Sequence, residues 1–131
     1  MSGIIGLISV SAATPGASEV KQTHVIINNS SSRATVLTPT SGKQIRLISY
    51  IMDWDDANLS TCSIYFGTGA GIISDITKAI GEFTLQVSET ATAQQVFPDG
   101  AGPIGIVDDV LSVRNVNATG DNTITITYRE E

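Results

Sequence analysis

Side chains that could perform chemistry are scarce in this sequence, which contains one histidine, His24, and one cysteine, Cys62. A catalytic triad needs a base beside a nucleophile, and no G-x-S-x-G motif supplies a nucleophilic serine. A lone cysteine can form neither an intrachain disulfide nor a zinc cluster, and free cysteines usually lie in cores. The sequence therefore predicts a protein that is not an enzyme and holds no cofactor, with Cys62 in the core and His24 facing outward from a strand.

One short stretch is rich in hard oxygen ligands: Asp53, Asp55, Asp56 and Asn58 fall within six residues. Ca²⁺ prefers such oxygens, but the stretch lacks the glycine and the bidentate glutamate of an EF-hand loop. Asp and Asn are also common in turns, because their side chains hydrogen-bond their own backbone. We therefore predict a turn and no metal site, and cation binding at the acidic turn, residues 53–56, stays open as the alternative.

The charge of the chain restricts its partners. It carries 13 acidic and 7 basic residues, for a net charge of −6. Neutralising nucleic-acid phosphates needs clustered Lys and Arg, and the basic residues here are scattered, so we expect no nucleic-acid partner. No apolar run approaches the roughly 20 residues that span a bilayer, so we expect no membrane partner. The N-terminus lacks the basic region of a signal peptide, which predicts a soluble protein made in a cytoplasm without secretion.

The elements that would position these residues are strands. Residues 43–54, KQIRLISYIMDW, are rich in β-branched and aromatic residues and lack Ala and Glu, which favours a strand over a helix. Read with period two, this stretch has apolar residues on both faces. We therefore expect a central strand that is covered on both sides.

A second strand follows at residues 60–67, separated from the first by the short polar stretch 55–59. The sequence predicts that the two strands form one antiparallel hairpin. The inward side of the second strand carries Cys62, Ile64 and Phe66, and the outward side carries Thr61, Ser63 and Tyr65.

The rest of the chain alternates strand patterns with turn signals. Extended pieces are predicted at residues 19–28, 33–38, 82–87, 92–97, 104–107, 110–116 and 123–129, and residues 72–80 fit either two turns of helix or an irregular crossover. The chain is thus expected to be all-β, a single jelly-roll-like β-sandwich of about eight antiparallel strands. Residues 19–131 would form this domain, and residues 1–18, with their glycines and small residues, would form an extended N-terminal arm.

Several stretches in order carry a family resemblance: SGKQIRLISY at 41–50, STCSIYFGTGAG at 60–71, EFTLQV at 82–87, DDVLSVRNVNATG at 108–120 and the terminal TITITYREE. Together they resemble the small jelly-roll virion proteins of tailed bacteriophages, notably capsid decoration (cement) proteins. The resemblance covers roughly residue 36 to the end.

The resemblance implies a structural virion protein located on the capsid surface. Such a protein would be a homotrimer that clamps neighbouring subunits of the major capsid protein. An N-terminal arm would contact the capsid or a neighbouring copy through Ile4, Ile5, Leu7, Ile8 and Val10. Tyr65 and Phe97 are the candidates for the oligomer interface, because aromatic residues are enriched there. Both could equally be core residues, and Trp54 is expected in the core.

A second function class stays open, a carbohydrate- or receptor-binding β-sandwich module of a phage tail or head fibre. The chain has only seven aromatic residues, 3 Phe, 3 Tyr and 1 Trp, and most occupy inward positions. Few of them would be available to stack on sugars. A fold alone does not decide between these classes.

Overall fold

The computed structural model describes residues 18–27, 32–56, 60–69, 78–85, 89–116 and 121–131. These residues form strands and turns, and the prediction of an all-β chain is confirmed. The strands are β1 (Lys21–Ile27), β2 (Ala34–Leu37), β3 (Ile45–Asp56), β4 (Ser60–Phe66), β5 (Ala79–Leu85), β6 (Glu89–Val96), β7 (Leu111–Val116) and β8 (Asn122–Glu130).

Two four-stranded antiparallel sheets make up the fold, with orders β1-β8-β3-β6 and β2-β7-β4-β5. The pairs β1·β8, β2·β7, β3·β6 and β4·β5 are nested within one another, as if the chain were one long hairpin. Rolling that hairpin up adds the pairs β3·β8 and β4·β7. This wrapped double Greek key is a jelly roll, and the predicted β-sandwich is confirmed.

The predicted hairpin between residues 43–54 and 60–67 is wrong. β3 and β4 lie in different sheets, and both edges of β3 are already paired, with β6 and with β8. The two strands bury their apolar faces against the common core from opposite sides. The connection between them therefore carries the chain from one sheet to the other.

The two-sided apolar pattern of β3 has a different cause from the one predicted. The register with β8 shifts between Leu47 and Ser49, which is a β-bulge. The extra residue changes which alternate positions face inward, so that Leu47 before the bulge and Tyr50 after it both lie in the core. Ile51 then points outward with 41% of its surface exposed. One face of β3 is buried, and the expectation of a strand covered on both sides is wrong.

The core lies between the sheets and confirms the predicted inward residues. β8 alternates strictly between buried and half-buried positions, which matches the period of a strand packed on one face. The buried apolar side chains include Ile45, Leu47, Tyr50, Met52, Cys62, Ile64, Phe66, Leu111, Val113, Ile124 and Ile126.

Residues 104–107 are not a separate strand, contrary to the prediction. Only an isolated bridge joins Ile104 to Arg46, although the loop before β7 runs closely beside the start of β3. The Leu47 amide donates to the Pro103 carbonyl at 2.9 Å, and a Cβ added to Gly102 would lie 1.9 Å from the Leu47 carbonyl oxygen. A glycine is required at residue 102 because the two backbones approach so closely.

Three predictions concern residues at or beyond the limits of the described ranges. Most of the ambiguous piece, residues 72–80, lies outside them, and Ala79 already belongs to β5. The side chain of Trp54 and the predicted arm contacts Ile4, Ile5, Leu7, Ile8 and Val10 also lie outside them. Of the predicted arm, only Ser18 is described, and its carbonyl accepts a hydrogen bond from Arg129 Nη1.

Candidate interaction surface

The outer face of the β1-β8-β3-β6 sheet presents a regular grid of side chains. Strand register places them in three rows of four, read from β1 to β6. The rows are Ile26, Thr123, Asp53 and Thr92; His24, Thr125, Ile51 and Gln94; and Gln22, Thr127, Ser49 and Val96. We call these twelve residues the outer grid.

Hydroxyl and amide groups of the outer grid bond to one another across strands. His24 Nδ1 lies 2.9 Å from the Thr125 hydroxyl, and the Thr92 hydroxyl donates to Asp53 at 2.5 Å. These contacts join side chains of neighbouring strands and orient them, as cross-strand pairs do in sheets generally. The outward direction predicted for His24 is confirmed.

Asp53 is the only Asp, Glu, Lys or Arg residue of the outer grid. Aliphatic side chains share the surface, since Ile26 exposes 64% and Val96 66% of its area. Cores of protein–protein interfaces are depleted in charge in this way, whereas an ordinary soluble surface is rich in Lys, Glu and Asp. The outer grid shares this depletion of charge.

Charged side chains gather at one end of the sandwich, where β8 ends. Glu130 is buried and accepts hydrogen bonds from Lys21 Nζ at 2.7 Å and from both the amide and the hydroxyl of Thr40. These bonds stabilise the charged carboxylate and lower the pKa of Glu130 to about 2. The cluster joins β1, β8 and the connection from β2 to β3 (the β2–β3 loop), and its bonds are satisfied within the chain.

Two further ion pairs flank Glu130. Arg129 forms a bidentate pair with Asp99 of the β6–β7 loop, which lowers the pKa of Asp99, and Arg46 Nε donates to Glu131 at 2.8 Å. The three consecutive residues 129–131 thus contact different parts of the fold: the β6–β7 loop, β1 with the β2–β3 loop, and β3. Sequence analysis did not find these pairs, because their members lie 30 to 109 residues apart.

An exposed apolar strip lies at the same end. It comprises Val96 at the end of β6 and Ile104, Ile106 and Val107 in the β6–β7 loop, each of them exposed. Ile104 is bridged to Arg46, which pairs in turn with Arg129. The strip is therefore a near neighbour of the ion pairs.

The outer face of the other sheet is different in character. Ser63 and Ser112 are buried there, and the Ser112 hydroxyl accepts from Arg33 and donates to the Gly67 carbonyl. Tyr65 also points to this face, as its alternation predicts, but it exposes only 2% of its area and donates to the Gly69 carbonyl at 2.7 Å. Its own chain covers the ring, as the alternative of a core residue expects, and a role for Tyr65 at an oligomer interface stays a prediction.

Phe97, the other candidate for an oligomer interface, is half-buried and packs against the core. Its amide donates to the Ile48 carbonyl at 2.8 Å, which continues the pairing of β6 with β3 by one residue. The phenyl ring has a structural role in its own chain, and a role between chains stays a prediction.

Cys62 lies in the core as predicted. Its Sγ is 3.4 Å from the Met52 sulfur, and burial raises the pKa of the thiol to about 12. The nucleophilic form is the thiolate, so this group is inert at neutral pH. His24 lies on the outer grid and does not contact it.

Within the described ranges, no three His, Cys, Asp or Glu side chains are grouped closely enough to hold a metal ion. The side chains of Asp55 and Asp56 lie outside those ranges, as does Asn58, so the alternative of a cation in the acidic turn stays untested. Asp53 is described, and Thr92 is its partner. No helix among the described residues is long and apolar enough to cross a membrane.

Comparison with known proteins identifies no family. No protein-family model matches the chain, and no curated protein matches it. Among solved structures, the chain is similar to a protein of the disulfide-linked pili of Bacillus endospore appendages, with 15% identity, a TM-score of 0.45 and coverage of 91% of this chain and 96% of the other.

It is also similar to a protein of the virus-like particle of the extra small virus from the giant freshwater prawn Macrobrachium rosenbergii. The identity is 13% and the TM-score 0.42, over 92% of this chain and 84% of the other. A third likeness is to PirA, at 16% identity and a TM-score of 0.40, over 82% of this chain and 93% of that one. We draw no functional conclusion at these identities and TM-scores, and the resemblance to proteins of tailed bacteriophages stays a prediction.

Proposed function

We propose that the chain is a non-enzymatic structural subunit of a virus particle. Within that role, we assign it to the capsid surface, as a decoration or cement protein that binds the major capsid protein and stabilises contacts between its subunits. A homotrimer is the form in which it would act. The observation that carries the proposal is the outer grid, whose twelve outward-facing residues include one charged side chain, Asp53.

The aliphatic side chains of the outer grid are in contact with water, which is unfavourable. Exposed aliphatic side chains such as Ile26 and Val96 gain about 25 cal/mol for each Å² that a partner removes from water. Asp53 is the one charged side chain of the outer grid, so a partner would have to desolvate a single carboxylate there, which already accepts a hydrogen bond from Thr92. A rigid sheet also has little conformational entropy to lose when it docks.

The jelly roll supports the same proposal only as a scaffold, since it is shared by capsid proteins and by lectins. Sugar-binding sites usually include an aromatic platform, and His24 is the only ring-bearing side chain of the outer grid. A protein partner therefore fits this face better than a carbohydrate. The N-terminal arm, through Ile4, Ile5, Leu7, Ile8 and Val10, would add a second attachment to the capsid or to a neighbouring copy.

The first test is location. An antibody raised against the purified chain should label virus particles purified from the host that carries this gene, as seen by immunogold electron microscopy. Labelling of the particle surface is the expected result. A complete absence of the chain from purified particles would contradict the structural role.

The second test addresses the outer grid. Purified protein is added back to particles that lack it, and co-sedimentation is measured for the double variant Thr125→Lys, Gln94→Lys. We expect at least about a tenfold loss of binding, because two buried charges would have no partners. The matched control is Thr84→Lys on the opposite sheet, an exposed threonine that should tolerate lysine with no loss. Equal binding of both variants would show that the grid is not the contact.

A further inference from the structure

We propose that residues 4–10 of the chain pack on the apolar strip of the same chain when the protein is free in solution. The strip is the set Val96, Ile104, Ile106 and Val107 defined above. This inference does not depend on the proposed function, because it concerns the unassembled protein.

The N-terminal stretch joins the sandwich at Ser18, close to the strip. Ser18, the first described residue, is held at its carbonyl by Arg129 Nη1. The same guanidinium binds Asp99, which belongs to the β6–β7 loop that carries Ile104, Ile106 and Val107. The chain before residue 18 therefore starts beside the loop that presents most of the strip.

The second argument is complementary composition. Residues 1–18 contain no Asp, Glu, Lys or Arg, and residues 4–10 read IIGLISV, with five aliphatic side chains. The part of the loop that carries most of the strip, GAGPIGIV at residues 100–107, is equally free of charge, although Asp99 and Asp108 border it. Two uncharged apolar surfaces that meet in water bury area without desolvating any ion.

The third argument is the linker. Pro15 and Gly16 have the sequence of the two central positions of a type II turn, which reverses the chain direction. An attached segment also has an effective concentration in the millimolar range, which favours its own strip over that of a second copy in dilute solution.

The test uses cysteine cross-linking in the full chain. Leu7→Cys is combined with Ile106→Cys, and the rate of disulfide formation under mild oxidation is followed on non-reducing gels. Native Cys62 does not interfere, because it is buried and its pKa is about 12. The matched control combines Leu7→Cys with Ile26→Cys, since Ile26 and Ile106 are isoleucines of similar exposure, 64% and 61%.

Both control and test positions are within reach of an unattached segment, because the eleven residues from Leu7 to Ser18 extend up to about 36 Å. Because Ser18 lies beside the loop that carries residue 106, tether length alone also favours this pair. The 7–106 pair is therefore measured again with Ile4, Ile5 and Ile8 replaced by Ser, which keeps the tether and removes the apolar contact, and we expect this change to abolish the faster rate. We expect the pair with residue 106 to form a monomeric disulfide at least about ten times faster, a ratio that corresponds to about 1.4 kcal/mol. Equal rates for the two pairs would overturn the proposal. A disulfide-linked dimer as the main product would also overturn it, since the strip would then bind the segment of a second copy.

Discussion

Arg129 holds Asp99 with two hydrogen bonds, Nε to Oδ1 at 2.9 Å and Nη2 to Oδ2 at 2.8 Å. The geometry is the planar fork that only arginine offers to a carboxylate. Because β3 lies between β8 and the β6–β7 loop, this contact crosses a strand and folds the loop over the sheet. Beneath it, Arg46 Nη1 donates to the Gly102 carbonyl at 3.1 Å.

Asp99→Asn should loosen the β6–β7 loop while leaving the sandwich folded. Asp99 is an exposed partner, so we expect little change in the melting temperature. Amide hydrogen exchange of residues 99–104 should become faster, because their local opening is no longer opposed by the pair. The control is Asp108→Asn, whose carboxylate accepts from the Gly42 amide instead of from Arg129. Unchanged exchange in Asp99→Asn would mean that the loop is held by its backbone contacts alone.

Glu130 makes the stability of the fold depend on pH. Its pKa is about 2 in the folded chain against an ordinary value of 4.5. A lowered pKa gives stability that is fully present above the unfolded value and is lost as the pH falls from about 4.5 toward 2. The melting temperature should therefore fall less steeply across this window in Glu130→Gln than in the natural chain.

At neutral pH, Glu130→Gln should destabilise the fold by about 1–3 kcal/mol, since charge-assisted hydrogen bonds are lost. Glu131→Gln is the control, because its carboxylate is more exposed than that of Glu130 and pairs with Arg46 at the surface. Parallel pH profiles for the natural chain and Glu130→Gln would contradict the assignment.

Phe66→Ala should cost about 3–5 kcal/mol of unfolding free energy, through lost burial and a residual cavity. The ring is buried and lies against Gly105, where an added Cβ would come within 2.8 Å of Phe66 Cδ1. Val96→Ala is the control, since an exposed side chain loses little on truncation. Urea unfolding of both variants measures the difference, and an unchanged midpoint for Phe66→Ala would place the ring outside the core.

Cys62 should report on unfolding. Its thiol is buried and un-ionised at neutral pH, so an aromatic disulfide reagent at pH 8 should react with it only as fast as the core opens. Ile26→Cys supplies an exposed thiol for comparison in the same chain and should react at once. Rapid labelling of Cys62 in the folded natural chain would show that its surroundings open without unfolding.

Strand positions could be predicted from the sequence because alternation is a local property. The buried series Ile124, Ile126 and Tyr128 is visible in the residues themselves. Strand partners are harder to predict. A short polar connection such as the one after β3 suggests a hairpin, but here it joins strands of different sheets. The β-bulge near Leu47 cannot be recognised from the residue types. Simple alternation therefore assigns the apolar residues of β3 to two faces, although one face is buried.

The candidate surface was harder to predict than the fold. The outer grid brings together residues of β1, β3, β6 and β8, and only strand register shows that His24, Thr125 and Gln94 share a row. Alternation predicts the face to which Tyr65 points, but it cannot predict that other residues of the chain cover the ring. Contacts such as Lys21 with Glu130, 109 residues apart, have no local signature at all.

The nested order of the strand pairs has a consequence for how the chain folds. The pair β4·β5 encloses the shortest loop and β1·β8 the longest, with the other two pairs between them. Loop closure costs about 0.6 kcal/mol for each doubling of length, and every inner pair that forms shortens the loop left for the next one. We therefore expect folding to proceed outward from β4·β5. Substitutions of Ile64 in β4 should then have larger φ-values than substitutions of Ile124 in β8. The strands at the two ends of the domain would then zip together last.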